Sequence, residues 1–183
     1  MTISMISGTS SNKLIMKNKL KILIVEDSEI IRESLQKVIS SLIGAEIIGF
    51  AYNSLDAIDQ YLKFKPDVII LDLMLNWSTG IEVMKLIREH RNESSIVILY
   101  SNITNPFIRN HCRAVGADYC LDKSNDLDQL IIICQKLISK RFPNLIPFET
   151  NYFIPKLEYV KCSGSERLRN YLTTAIGMKF LII

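Results

Sequence analysis

The chain is expected to fold as a doubly wound α/β domain on a five-stranded parallel sheet with helices on both faces. Three observations lead there. Short apolar, β-branched runs recur along the chain. Each is followed by a stretch whose apolar residues sit at helical spacing. The runs are apolar throughout rather than alternating, as strands are when helices cover both faces of a parallel sheet. Right-handed crossovers then wind the helices onto the two faces.

The first strand reads from Leu20 to Val25 and stops at Glu26-Asp27. Ser28 stands where it can cap a helix, with Glu29 in its first turn, and Ile30, Ile31, Leu35, Val38, Ile39 and Leu42 follow at helical spacing. Gly44 ends that helix. Glu46 to Ala51 is the second strand, and Asn53, with Asp56 three residues on, caps a helix to about Phe64. Lys65-Pro66 breaks the chain before Asp67 to Leu71, the most apolar strand, which ends at Asp72. Leu73 to Thr79 reads as a loop, and Thr79 and Glu82 have capping-box spacing for a helix to about His90. Ser95 to Tyr100 is the fourth strand, ending at Ser101. Asn105-Pro106 opens a helix that closes near Val115-Gly116. Asp118 to Leu121 is the fifth strand, followed by Lys123, and Asn125 or Asp126 caps a last helix from Leu127 to about Lys140.

The 183 residues suffice for one such domain but leave no room for a second of ordinary size. The composition, 48% hydrophobic and 22% charged, is globular rather than disordered. A net charge of +3 gives no basis for nucleic-acid binding, and none is expected. Cys112, Cys120, Cys134 and Cys162 show no C-x-x-C spacing, and His90 and His111 fall in no ligand pattern, so a zinc site is not expected and the thiols read as reduced. No apolar run reaches the roughly 18 residues of a membrane span, and the first 16 residues lack the pattern of a secretory signal. The expectation is a cytoplasmic chain.

In an open parallel sheet, ligands bind at the carboxyl ends of the strands near the reversal of strand order. The residues standing there are Glu26 and Asp27, Asp72, Ser101 and Lys123. Three crowded carboxylates repel unless a cation neutralises them, and all-oxygen ligands suit Mg²⁺. A carboxylate can attack phosphorus to form an aspartyl phosphate, with catalysis resting on in-line positioning and charge neutralisation. Lys123 supplies a second cation and Ser101 a hydroxyl donor.

Lys-Ile-Leu-Ile-Val-Glu-Asp-Ser at 21–28, Pro-Asp-Val-Ile-Ile-Leu-Asp-Leu at 66–73 and Gly-Ala-Asp-Tyr-Cys-Leu-Asp-Lys-Ser at 116–124 resemble the signature blocks of the bacterial response-regulator receiver domain. The resemblance covers residues 19–140. It implies a flavodoxin-like sheet of order 2-1-3-4-5 and a switch rather than an enzyme, limited to self-phosphorylation from a donor and autodephosphorylation. By position it implies Asp72 as phosphoacceptor, Glu26 and Asp27 as the acidic pair with Asp27 the direct metal ligand, and the backbone carbonyl of Met74 as a further Mg²⁺ ligand. It implies Ser101 as the hydroxyl switch, Lys123 as the phosphate-binding lysine, and Gly80 as the glycine that opens the third helix. The implied donor is a sensor histidine kinase or a phosphotransfer protein. The implied readout is a downstream protein met by the helix 4–strand 5–helix 5 face, with a homodimer possible.

The departures are specific. Asn76 stands where many receivers have proline, and Ser124 follows Lys123 where many have proline. Cys120 holds the place, three before the lysine, of a switch aromatic. Tyr119 lies one residue earlier, and one residue along a strand changes face. The side chain of Met74 could screen Asp72 from water, or lie idle on the surface. Trp77 is expected to pack in its loop, His90 and His111 to take no part as phosphodonors, and Asp56, Asp59, Asp118 and Asp122 to be solvated or capping groups.

Residues 1–18 read as a flexible arm, 19–140 as the domain, and 141–183 as an extension of open role, mildly basic through Arg167, Arg169 and Lys179. The extension is too short for the usual helix-turn-helix output. Two rival functions follow: a transcription regulator with a reduced or lost DNA-binding output, and a phosphatase working through an aspartyl phosphate. No second acid/base beside Asp72 supports the latter.

Overall fold

The computed structural model describes residues 19–76, 78–89, 95–103 and 105–143. The chain alternates strands and helices: β1 (Leu20–Val25), α1 (Glu29–Ser40), β2 (Ala45–Ala51), α2 (Ser54–Phe64), β3 (Val68–Leu71), α3 (Gly80–Glu89), β4 (Ile96–Ser101), α4 (Pro106–Val115), β5 (Tyr119–Asp122) and α5 (Leu127–Arg141). The five strands form one sheet in the order β2-β1-β3-β4-β5, every neighbouring pair parallel. The strand order reverses between β1 and β3, so the carboxyl ends of these two strands flank the crevice.

Alternate side chains of each central strand enter opposite cores. Leu23, Val25, Ile69, Leu71, Val97 and Leu99 pack with Ala57, Tyr61, Val83, Met84, Ile87 and Cys112 under α2, α3 and α4. Ile22, Ile24, Val68, Ile70, Ile98 and Tyr100 pack with Leu35, Val38, Ile39, Leu130, Cys134 and Ile138 under α1 and α5. This two-sided burial is why the strands read as continuous apolar runs.

Two expected caps form. The Asn53 side chain accepts from the Asp56 N–H at 3.0 Å while Asp56 accepts from the Tyr52 N–H at 3.1 Å, and Asn105 accepts from the Phe107 N–H at 2.9 Å. Two do not. Ser28 and Asp126 occupy N-cap positions, but neither side chain caps its helix. The Ser28 N–H instead donates to the Glu26 carboxylate at 3.2 Å, and Asp126 accepts from the Asp122 N–H at 2.8 Å. Both residues border the strand-end site, and the bonds they make there lie within its short-range turns.

Three boundaries also differ from expectation. The stretch expected as a loop contains a two-residue antiparallel ribbon, Met74–Leu75 with Ser78–Thr79. Helix α1 closes at Ser41, and Gly44, at φ 93°, instead turns the chain into β2. Helix α5 ends at Arg141, with Phe142 packed against the core beneath it, so the expected boundary after residue 140 falls inside the last turn. Trp77, His90, Cys162 and the expectations for residues 1–18 and 144–183 lie outside the described residues.

Candidate functional site

The register of the sheet assembles the site. Val25 pairs with Leu71 and Leu71 with Leu99, so the next residues on β1 and β3 emerge side by side at the crevice. The Asp72 N–H donates to the Val25 carbonyl and the Glu26 N–H to the Ala51 carbonyl, both at 2.9 Å, extending the ladders one residue past the strands. Ser101 pairs with Asp122 at the far side, which brings Lys123 over the same edge.

Glu26, Asp27 and Asp72 converge, each offering a carboxylate oxygen within 4.8 Å of the others. The Lys123 ammonium lies 2.5 Å from Glu26 Oε2 and 2.6 Å from Asp72 Oδ2, bridging two of the three. Glu26 and Asp72 are buried, whereas Asp27 is half-buried. Burial pushes the Glu26 pKa up, against the Lys123 ammonium that pulls it down, and the Asp72 charge adds to the rise. The Met74 N–H donates to Asp72 Oδ1 at 3.2 Å, while the Met74 side chain is 70% exposed, on the outside of the site.

Ser101 is buried at the end of β4. Its carbonyl accepts from the Ile103 N–H at 2.8 Å and the Lys123 N–H at 3.4 Å, tying the β4–α4 and β5–α5 loops together behind the site. The Tyr100 hydroxyl donates to the Lys123 carbonyl at 3.4 Å, and burial holds its pKa well above the usual phenol range, so it stays a donor. The aromatic that reaches the lysine therefore comes from β4 rather than β5. Cys120 is buried toward α4 beside Leu99, whereas Tyr119 is 38% exposed on the opposite side of the strand.

Gly80 is explained by proximity. A Cβ there would sit 2.3 Å from the Asp72 carbonyl oxygen, and the Gly80 N–H donates to the Leu73 carbonyl at 2.9 Å. Helix α3 thus starts against the backbone of Asp72, a closeness only glycine permits.

Of the carboxylates expected to be solvated or capping, Asp56 accepts from the Tyr52 N–H and the Gln60 amide at the start of α2, and Asp59 is exposed. Asp118 joins Arg88 and the Val97 N–H, both at 2.7 Å. Asp122 is buried rather than solvated: it holds the turn before Lys123 by accepting from the Ser124 N–H at 2.7 Å and faces Arg109 at 3.5 Å. Arg32 was not singled out by any spacing. Its Nη1 donates to the Glu26 carbonyl at 2.9 Å and the Asp27 carbonyl at 2.7 Å, and no local pattern announces a side chain that acts on the backbone of another element.

The donor set suits Mg²⁺: three carboxylates, all oxygen, near enough to share one small hard cation. A divalent ion there would also offset the burial that disfavours an ionised Glu26.

The response regulator receiver domain profile matches residues 22–135, and the chain belongs to that family. It is 30% identical over 124 residues to a protein-glutamate methylesterase/protein-glutamine glutaminase of Archaeoglobus fulgidus, covering 66% of this chain and 35% of that protein. It is 25% identical over 152 residues to the transcriptional regulatory protein BtsR of Salmonella typhi, covering 81% of this chain and 60% of that protein. Among solved structures it is similar to the response regulator domain of Thermotoga maritima CheB, at 28% identity and a TM-score of 0.58, covering 67% of this chain and 96% of that one. The chain spans only 24% to 35% of the first three curated relatives. The match to CheB is to its regulator domain. The fold and the acidic cluster are those of a receiver domain, the kind of module that accepts a phosphoryl group and switches an interaction.

Proposed function

We propose that Asp72 accepts a phosphoryl group from a sensor histidine kinase or a histidine phosphotransfer protein, and that the modified domain switches a protein–protein interaction. The observation that carries this reading is the Lys123 ammonium bridging Glu26 and Asp72 at the crevice. One Asp72 carboxylate oxygen attacks phosphorus as the P–N bond to the donor imidazole, protonated on its other ring nitrogen, breaks, leaving an acyl phosphate and a neutral histidine. Glu26, Asp27, Asp72 and the Met74 backbone carbonyl would hold Mg²⁺, which when bound would supply charge neutralisation at the transferring group. Lys123 follows the phosphoryl oxygens from the other side, and the Ser101 hydroxyl donates to one of them. That pull moves the β4–α4 and β5–α5 loops together, because the Ser101 carbonyl already joins them.

The readout is assigned to α4, β5 and α5. What supports this is exposed apolar surface there: Phe107 at 83%, with Ile108 and Tyr119 nearby in the fold. A homodimer through the same face is a variant of this reading. We assign the unit to residues 19–140, with 1–18 as an arm and 141–183 as an extension. No helix of the described residues is long and apolar enough to cross a membrane, which fits the cytoplasm, where such donors act.

The test is mass spectrometry after incubation with acetyl phosphate and Mg²⁺. A single added phosphoryl group is expected on the wild-type chain and none on Asp72→Asn. Modification that persists in Asp72→Asn would sink the assignment.

A transcription regulator with a reduced output is the second reading. It is favoured by the alignment with BtsR, which at 81% of this chain extends beyond the receiver into the C-terminal extension. Binding of the full chain to duplex DNA with a steep salt dependence would support it, and salt-insensitive or absent binding would remove it.

A further inference from the structure

The three carboxylates are not held alike. Glu26 is fixed by Lys123 and by the Ser28 N–H, and Asp72 by Lys123 and by the Met74 N–H. For Asp27, among the described residues, the anchoring bond runs through its backbone, and the donor is Arg32. A single nitrogen of Arg32, on the second turn of α1, takes the carbonyls of both Glu26 and Asp27. The guanidinium also lies 4.4 Å from the centre of the Tyr52 ring, which follows β2. Tyr52 is itself held, its N–H donating to Asp56 at the start of α2. The planar cation is thus clamped between the back of the acidic loop and an aromatic face, a geometry that suits arginine and not lysine.

Two carbonyls drawn to one cation set the peptide planes on either side of Asp27. Those planes determine the direction in which its Cβ leaves the chain, and so where its carboxylate points. We propose that Arg32 is a positioning residue for the metal site, pre-setting the Glu26-Asp27 backbone so that the Asp27 carboxylate joins Glu26 and Asp72 without further ordering. This rests on the assignment of the acidic cluster to Mg²⁺. Removing Arg32 leaves the carboxylates in place chemically but lets the loop sample other directions, and each binding event must then order it. Partners of this outer kind act on affinity rather than on identity of the metal.

The test is a Mg²⁺ titration of the full-length chain, followed by backbone amide chemical shifts of Glu26 to Ser28, with the thermal midpoint recorded for each variant. Arg32→Ala is expected to weaken Mg²⁺ binding about tenfold, Arg32→Lys by less, and Tyr52→Leu by less again. At saturating Mg²⁺ the rate of modification by acetyl phosphate should return to within about twofold of wild type, because only the metal step is weakened. A folded Arg32→Ala protein whose Mg²⁺ affinity matches wild type would overturn the proposal, as would a rate defect that saturating Mg²⁺ does not repair. Should Arg32→Ala fail to fold, Arg32→Lys and Tyr52→Leu decide, and unchanged affinity in both overturns it. A wild-type chain that binds no Mg²⁺ sinks the metal assignment itself, and this proposal with it. A wild-type chain that binds Mg²⁺ but takes no phosphoryl group sinks only the Asp72 assignment.

Discussion

The Glu26 carboxylate is nearly sealed from solvent, and its pKa is raised, by burial first and by the Asp72 charge, against the Lys123 ammonium that lowers it. In the folded chain the ionised form is therefore the costlier one. The sign follows from linkage: a carboxyl whose pKa rises on folding lends stability below its unfolded value near 4.5, and that stability is lost as pH climbs through the folded value. Glu26→Gln keeps the shape without the charge. In metal-free buffer it should raise the thermal midpoint by a few degrees at neutral pH, with the gain shrinking toward pH 4.5, as scanning calorimetry across that range would record. The same variant should weaken Mg²⁺ binding, because a ligand oxygen loses its charge. A midpoint that falls at neutral pH would show that the Lys123 contact outweighs the burial. Lys123 ties Glu26 to Asp72, the carboxylate proposed as phosphoacceptor.

At the level of elements, the junction between β3 and α3 is the tightest point of the site. The α3 start is pressed against the Asp72 carbonyl, so Gly80→Ala must push either the helix or Asp72 aside. The expected loss is about 1–3 kcal/mol of unfolding free energy, as for other overpacked sites. Phosphorylation by acetyl phosphate should slow as well, and chemical denaturation with a rate measurement separates the two effects. The amino end of α4 is a milder case. Asn105→Ala removes the bond to the Phe107 N–H and should cost about 1 kcal/mol, read by urea denaturation. Caps away from the site, at Asn53 and Asn105, were legible from spacing because nothing competes for them. The Asp126 carboxylate is taken by the Asp122 N–H in the turn before its helix, and the Ser28 side chain makes no cap bond. A local rule failed where the site begins.

For the whole molecule, the two cores run, among the described residues, from Leu20 to Phe142. A fragment of residues 19–143 should therefore unfold cooperatively by itself, with a midpoint close to that of the full chain by circular dichroism. Its thiols offer an independent check. Cys112, Cys120 and Cys134 are all buried, and burial raises each thiol's pKa, that of Cys134 to about 12. Iodoacetamide should label them in the fragment only as it unfolds, since the thiolate is the reactive form. Fast labelling in native buffer would mean that the α4 and α5 packing opens locally.

Sequence alone determined the alternation of strands and helices, the apolar character of the sheet and the strand-end residues, of which Glu26, Asp27, Asp72 and Lys123 meet at the crevice. Those features are carried by short-range periodicity and by the rule that places ligands at strand carboxyl ends. Tertiary structure decided how the residues meet. The ammonium of Lys123 between Glu26 and Asp72, the burial that strains Glu26 and the pressure of Gly80 on Asp72 all depend on parallel register between strands far apart in the chain. Arg32 and Tyr100 act through backbone carbonyls across elements, at Glu26, Asp27 and Lys123. A carbonyl is the same group at every residue, so its capture by a distant side chain leaves no mark in the sequence.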